Sequence, residues 1–445
     1  MTNIPADAAT RALRKRTTSS EGSYVRASGR IPAGVSRQTL AYAPYPVFAE
    51  RGSGQYLWDV DGNRYLDLVN NYTSLIHGHA HGPTVEATIA ELRRGGALGA
   101  PCTSEREFAD LLTERFPVME RLRFALSGTE AVAFATRAAR AFTGRKRLLK
   151  FEGGFHGSGD EVQQSIGAQP LPPGAFGPGV PNSAGLLDVP TLVAVYNDRA
   201  GVRRAFAEHG SEIAAVVVEP FLGNAGLVTA EPGFLAFLAE HAHRHGALLI
   251  VDEIQSMRLD TGGAQRLHGV VPDLVTLGKI MGGGMPLAAF GGREEIMRAF
   301  DGFAPAIAQT GTFTAFNVGL AAGLATVRHF GAEEVRALDH AGARVRDGIA
   351  KVFTEHGLPV TVNGTGSMFN ICLIEGPVRD YRTWRAADDR TWTRVRTGLL
   401  ARGVHINARG TGCLSTPMTD TDLDDFLTAL HLAVGDATKN PEPTP

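Results

Sequence analysis

Cysteine is scarce in this 445-residue chain: Cys102, Cys372 and Cys413 are the three present, an odd number without CxxC spacing. That argues against a disulfide framework and against a cysteine-built zinc site. Charge of one sign is not in excess either. The 44 Lys and Arg face 46 Asp and Glu, a formal net charge of −2, so the electrostatic footprint of a nucleic-acid or anionic-membrane binder is missing. No apolar run exceeds strand length, which leaves no transmembrane helix to propose. Residues 1–23 are polar and locally basic, without the apolar core of a secretory signal, so the cytoplasm is the expected location. Neither a P-loop nor a GxGxxG fingerprint occurs where a nucleotide would need one.

What is present is ordinary for a globular α/β protein: 43% hydrophobic and 20% charged residues. Between about residues 120 and 290, short apolar runs alternate with helical patterns. RLLKF (147–151), IAAVVVEP (213–220), ALLIVDE (247–253) and DLVTLGK (273–279) read as strands without strict alternation. Continuous apolar strands separated by helices predict a parallel sheet covered on both faces. The helix between the second and third, 233–246, closes on Gly246. Residues 167–185, rich in Pro and Gly, read as a long surface loop without an element of its own. The first sixty residues and the stretch after about 330 lack this rhythm, although 333–353 is an amphipathic helix and 367–374 a strand. The predicted organisation is a large domain over 61–328, a smaller α+β domain built from 1–60 and 329–434, and a disordered tail over 435–445.

In a parallel sheet the carboxyl ends of the strands share one rim, where ligands bind. Phe155 and His156 follow the first strand, Glu219 and Asn224 the second, Asp252, Ile254 and Gln255 the third, and Lys279 the fourth. An acid directly after an apolar strand is desolvated unless it meets a donor or cation; alone, Asp252 reads as a turn carboxylate. Lys279, alone, reads as a solvated strand-end lysine. Together they admit a sharper reading, because a lysine amine bonds an aldehyde cofactor and a carboxylate keeps a pyridine nitrogen protonated, as pyridoxal phosphate requires. A phosphate cradle is available at Ser127-Gly128-Thr129-Glu130, which opens an alanine-rich helix with the pattern of a capping box.

SGTEAV, FEGGFHG, VEPFLGNAG, LIVDEIQ, PDLVTLGKIMGGGMP and TGTFTAFN, in that order, resemble the signature blocks of class III, fold type I pyridoxal-phosphate-dependent aminotransferases. The branch they resemble most contains glutamate-1-semialdehyde aminomutase and the β-amino-acid (β-phenylalanine) aminotransferases. The likeness extends from about Gly34 to Leu432. It implies that Lys279 carries the cofactor, Asp252 pairs with the pyridine nitrogen, and Ser127, Gly128 and Thr129 hold the phosphate. It further implies that Phe155 stacks on the ring where most relatives have tyrosine, that Ile254 packs on the other face, and that Gln255 or Asn224 reaches the phenolic oxygen. Glu219 and His156, on the same rim, are expected among the cofactor-binding residues as well. Thr312 would contact the cofactor of the neighbouring subunit, making a homodimer the functional unit.

For substrate, the resemblance places carboxylate-binding arginines at Arg37 and Arg409, with Tyr72 lining the pocket. The expected reaction is transfer of an amino group from a β-amino acid or related amino-carboxylate to a keto acid. The alternatives are a glutamate-1-semialdehyde-type aminomutase and a diverged racemase, decarboxylase or bond-forming enzyme of secondary metabolism. His77, His79 and His81 alternate along HGHAHG with no convergent carboxylate evident, so no metal is expected. Met257 and Arg258, in DEIQSMRL, are expected near the entrance of the site.

Overall fold

The computed structural model describes residues 8–165 and 176–439. Its centre is an eight-stranded sheet, running from Arg121–Ala125 through Ala288–Gly292, Leu274–Leu277, Leu248–Asp252, Ile213–Val218, Arg147–Phe151 and Thr191–Ala194 to Gly177–Pro178. The middle strands are parallel, as the apolar runs predict. Their side chains alternate between two cores. Leu148, Ala215, Val217 and Ile250 pack with the Gly128–Thr143 helix, while Leu149, Val216, Val218 and Val251 pack beneath Arg199–His209 and Phe234–Arg244. Both faces being covered, no residue in these strands has to be polar, which is why the pattern is continuous.

Ala288–Gly292 departs from the parallel scheme. It runs antiparallel between Leu274–Leu277 and Arg121–Ala125, with Leu277 opposite Ala289 and Ala288 opposite Ala125. The ends of the Arg121–Ala125 and Leu274–Leu277 strands therefore lie at the same edge of the sheet. The reversal is made at Lys279–Gly282 and two glycines with positive φ, Gly283 (59°) and Gly284 (91°). At Gly283 a Cβ would come within 2.8 Å of the Ala322 carbonyl oxygen, so the turn needs glycine for both conformation and space.

The chain ends meet in a second sheet, in which Ala49–Ser53, Tyr56–Asp59 and Arg64–Asp67 are joined by Val404–His405. Met368–Cys372 lies between Thr361–Asn363 and Thr411–Cys413 in a third. Helices Ala332–Glu355, Asp389–Ala401 and Asp420–Lys439 pack against these sheets.

Two expectations are corrected here. Residues 435–439 are not a disordered tail but the last turn of the Asp420–Lys439 helix, held by the burial of Ala433, Val434 and Ala437; residues 440–445 lie outside the described residues. The 167–185 loop lies partly outside them as well, but Gly177–Pro178 pairs antiparallel with Thr191–Ala194 as an edge strand, a position that tolerates proline. Among the described residues no helix is long and apolar enough to cross a membrane.

Candidate cofactor site

Register assembles the rim. Asp252 lies opposite Thr276, and Val251 opposite Val218, so Glu219 follows at the level of Asp252. Asp252 is buried and accepts three hydrogen bonds, which leaves about one lone-pair site of its carboxylate unused. Its Oδ2 meets His156 Nδ1 at 2.8 Å, and its Oδ1 accepts from Thr276 Oγ1 at 3.0 Å and from the Ile254 amide at 3.1 Å. Glu219 accepts from the amides of Phe155 (2.9 Å) and Gly223 (3.2 Å), and burial pushes its carboxyl up to about 7. Lys279 is half-buried in a left-handed backbone conformation (φ 50°), and no carboxylate among the described residues lies within ion-pairing distance of it. Desolvation pulls its ammonium below the ordinary lysine range, with the Arg258 cation adding to the effect against Glu219 and Asp252.

The helix N-terminus comes to the same place. Ser127 Oγ accepts from the Glu130 amide at 3.2 Å, whereas the Glu130 carboxylate turns back to the Leu126 amide at 2.8 Å. The amides of Gly128 and Thr129 have no acceptor one turn earlier in the helix. A Cβ on Gly128 would lie 2.6 Å from Ile254 Cδ1, and one on Gly278 would lie 3.3 Å from Ile254 Cγ2. Ile254 thus bridges the helix start and the residue before Lys279. Thr129 Oγ1 accepts from the Ser158 amide at 3.1 Å, tying the loop that carries Phe155 and His156 to the same helix. Phe155 keeps 38% of its surface exposed, a flat apolar face left open at the rim. The rim therefore offers a desolvated amine, a buried carboxylate, free helix-start amides and two apolar surfaces. That set fits a phosphorylated pyridine aldehyde.

The remaining sequence-predicted residues fall in several places. Gln255 packs against Gly223 beside Glu219, while Asn224 is exposed. Arg37 Nη1 donates to Asn71 Oδ1 at 3.0 Å and its guanidinium sits 4.9 Å from the Tyr72 ring centroid, so those two residues are brought together. The Arg409 guanidinium lies over Trp384, 5.8 Å from the ring centroid. Thr312 is exposed on the segment following the short helices near residue 300. Met257 and Arg258 are not at an entrance: they are 2% and 1% exposed, because the turn after Asp252 folds into the core. The histidines of HGHAHG diverge. His77 and His81 stack on each other (4.3 Å), while His79 meets a carboxylate after all, Asp67, at 2.8 Å. Among the described residues no cluster of metal-ligating side chains forms.

Sequence reasoning missed Thr276, Asn71 and Lys150. Thr276 is a lone hydroxyl in an apolar strand, a signal that was available. Lys150 is buried and donates to the carbonyls of Gly154 (3.0 Å) and Gln164 (2.8 Å), bracing the loop that bears Phe155. Only its place within an apolar run hinted at this.

The doubly covered sheet with a lysine, an acid and a helix start on one rim defines a fold type I pyridoxal-phosphate enzyme. The chain belongs to the Aminotransferase class-III family, whose pattern it matches over residues 38–434, and its cofactor is pyridoxal 5′-phosphate. It is 41% identical over 395 residues to a glutamate-1-semialdehyde 2,1-aminomutase of Myxococcus xanthus, covering 87% of this chain and 90% of that protein. An omega-transaminase from Sphaerobacter thermophilus superposes with a TM-score of 0.92 at 40% identity, covering 96% of this chain and 99% of the other. A β-phenylalanine aminotransferase from Variovorax paradoxus superposes with a TM-score of 0.88 at 34% identity, covering 96% and 98%.

Proposed function

We propose that this protein is an aminotransferase that moves the amino group of a β-amino acid or related amino-carboxylate to a keto acid. The observation that carries this reading is Arg37: an exposed guanidinium steadied by a neutral amide and a phenol ring, with no carboxylate among the described residues paired to it. Such a fork is free to take a substrate carboxylate in two parallel hydrogen bonds. Similarity to the β-phenylalanine aminotransferase points the same way.

In this reading Lys279 would carry the cofactor, and its amine would be the group that moves the proton of the substrate carbon. The depressed ammonium suits that task, since a base works best with a pKa near the operating pH. Asp252, locked by His156, Thr276 and the Ile254 amide, holds a proton at the pyridine nitrogen. Pyridoxal phosphate supplies the electron sink. The amides of Gly128 and Thr129, with Ser127, receive the phosphate. Phe155 and Ile254 confine the ring, and Gln255 or Asn224 reaches the phenolic oxygen. Arg409 and Tyr72 complete the substrate wall. The functional unit is a homodimer in which Thr312 serves the neighbouring cofactor. Exposed Phe303 and Phe313 on the same segment favour such a contact. We place the small domain at 1–60 and 329–434, the large one at 61–328, and the protein in the cytoplasm.

The second reading, an aminomutase acting on glutamate-1-semialdehyde, is favoured by the similarity to the Myxococcus protein. A single-turnover experiment separates the two. Holoenzyme mixed with β-phenylalanine and no acceptor should release about one keto product per site with loss of the visible cofactor band. Isomerisation of glutamate-1-semialdehyde with the band retained, and no reaction with β-phenylalanine, would replace the transaminase by the mutase.

A further inference from the structure

Arg258 is the largest fully buried side chain among the described residues, and no carboxylate pairs with it. A guanidinium in that position must be satisfied by other acceptors, or its burial is prohibitive. Here Nε donates to Ser367 Oγ at 2.9 Å, Nη1 to the Thr73 carbonyl at 3.2 Å, and Nη2 to the Leu414 carbonyl. The Cys413 thiol lies beside it, pushed up by burial and therefore uncharged. Three segments far apart in sequence thus close on one side chain, six residues after Asp252.

One of those segments is strained. Asn70, Asn71, Tyr72 and Thr73 all have positive φ (46°, 47°, 56° and 74°), a run that L-residues adopt only when surroundings enforce it. Its start is held by Asp67, which accepts from the amides of Val69 (2.9 Å) and Asn70 (3.2 Å), and by Asn70 Nδ2 donating to the Cys413 carbonyl at 3.0 Å. Its end is held by Arg258. The run carries Tyr72 and Asn71, which support Arg37.

We propose that Arg258 is a positioning residue of this site: its guanidinium clamps the Asn70–Thr73 run against the segments at Ser367 and Leu414, and its charge, paired with no carboxylate among the described residues, acts on Lys279. The charged and titratable groups facing Lys279 are Glu219, Asp252, Arg258 and Cys413, with His156 bonded to Asp252. Arg258 is the sole guanidinium in that set, and its charge favours the neutral amine. Through Thr73 the same side chain fixes the geometry of the substrate arginine. It acts through Lys279 and Tyr72 and touches no reacting atom.

This deepens the proposed function and rests on Lys279 carrying the cofactor. Borohydride reduction of wild-type holoenzyme, with the mass increment located on the Lys279 peptide, tests that premise separately. Charge and clamp are then distinguished with Arg258→Met and Arg258→Lys, each loaded with pyridoxal phosphate. In Arg258→Met the pH midpoint of the visible band should rise by about one unit, and KM for β-phenylalanine by about tenfold. In Arg258→Lys the midpoint should stay at the wild-type value while KM rises. A wild-type midpoint in the Met variant, or an equal shift in both variants, overturns the electrostatic role; an unchanged KM in both overturns the clamp. If Arg258→Met does not fold, Ser367→Ala removes one acceptor and leaves the cation. A raised KM at an unchanged midpoint supports the proposal, and a shifted midpoint or unchanged KM refutes it.

Discussion

Replacing Gly128 by alanine should damage cofactor binding while leaving the cofactor-free fold nearly untouched. The added methyl would sit 2.6 Å from Ile254 Cδ1 and 3.4 Å from both Cγ atoms of that residue. Carbon–carbon contacts settle at roughly 3.5–4.0 Å, so the Cδ1 end must retreat by about 1 Å. Retreat toward Gly278 is bounded by the backbone of that residue, over which Cγ1 and Cγ2 of Ile254 already lie. The side chain therefore turns outward, over the rim, at about 0.5–1.5 kcal/mol for an unfavourable χ angle. In the free protein alanine's better helix propensity, up to about 1 kcal/mol, offsets this. If, as proposed, Ile254 packs on the ring, the displaced methyl occupies space that the ring requires, for a net loss of about 1–2 kcal/mol, or roughly 5- to 30-fold in affinity. Titration of cofactor-free protein with pyridoxal phosphate, followed by absorbance, measures the affinity; urea denaturation without cofactor measures the fold. Unchanged affinity would refute the placement of Ile254 against the ring. A parallel fall in both quantities would instead mean that Gly128 is needed for folding.

Arg37→Ala should raise KM for carboxylate substrates by about tenfold with a normal cofactor spectrum; steady-state kinetics against an amine lacking the carboxylate provides the control, which should be unaffected. Lys150 gives a pH-dependent outcome. Burial pulls its ammonium down to about 7, whereas in the unfolded chain it stays protonated to about 10.4. Between those values the unfolded state binds more protons, so the contribution of Lys150 to stability increases as pH rises and is lost as pH falls toward 7. Urea denaturation from pH 7 to 9 should show the wild type gaining on Lys150→Met by up to about 1.4 kcal/mol per pH unit; parallel curves would show that the buried amine keeps its proton.

The rim was legible in the sequence because parallel strands end together. Once four apolar runs are recognised, whatever follows each must share an edge, and Asp252, Glu219 and Lys279 need no long-range information to be placed there. The Ala288–Gly292 strand was not legible. It begins four residues after a glycine turn, ends in two glycines, and owes its position to pairing with residues more than 160 positions earlier. Yet that pairing is what brings the Ser127 helix start to the side of Lys279. Arg258 was misplaced for a related reason. An arginine after a strand-end acid reads as solvated, and only the convergence of acceptors from residues 73, 367 and 414 makes its burial tolerable. His79 likewise looked unpartnered until the fold supplied Asp67. What escaped was long-range pairing, which local pattern does not encode.

The two poles of the site are built from different material, and this bears on how far likeness to other proteins can define the reaction. The groups of the rim stand at the ends of sheet strands and at a helix start, locked by ladder register and by hydrogen bonds among themselves. Arg37, Asn71 and Tyr72 stand outside the large sheet, on a turn and a strained left-handed run, while Arg409 lies on a separate loop against Trp384. A substitution at the second group changes which carboxylate is held without disturbing strand register, so substrate choice can drift while the cofactor chemistry persists. Whole-chain similarity averages over both and is dominated by the sheets and helices. In the proposed reading it is therefore the state of the arginine pole, held through Thr73 by the buried Arg258, that separates transamination of a β-amino acid from an isomerisation performed on the same rim.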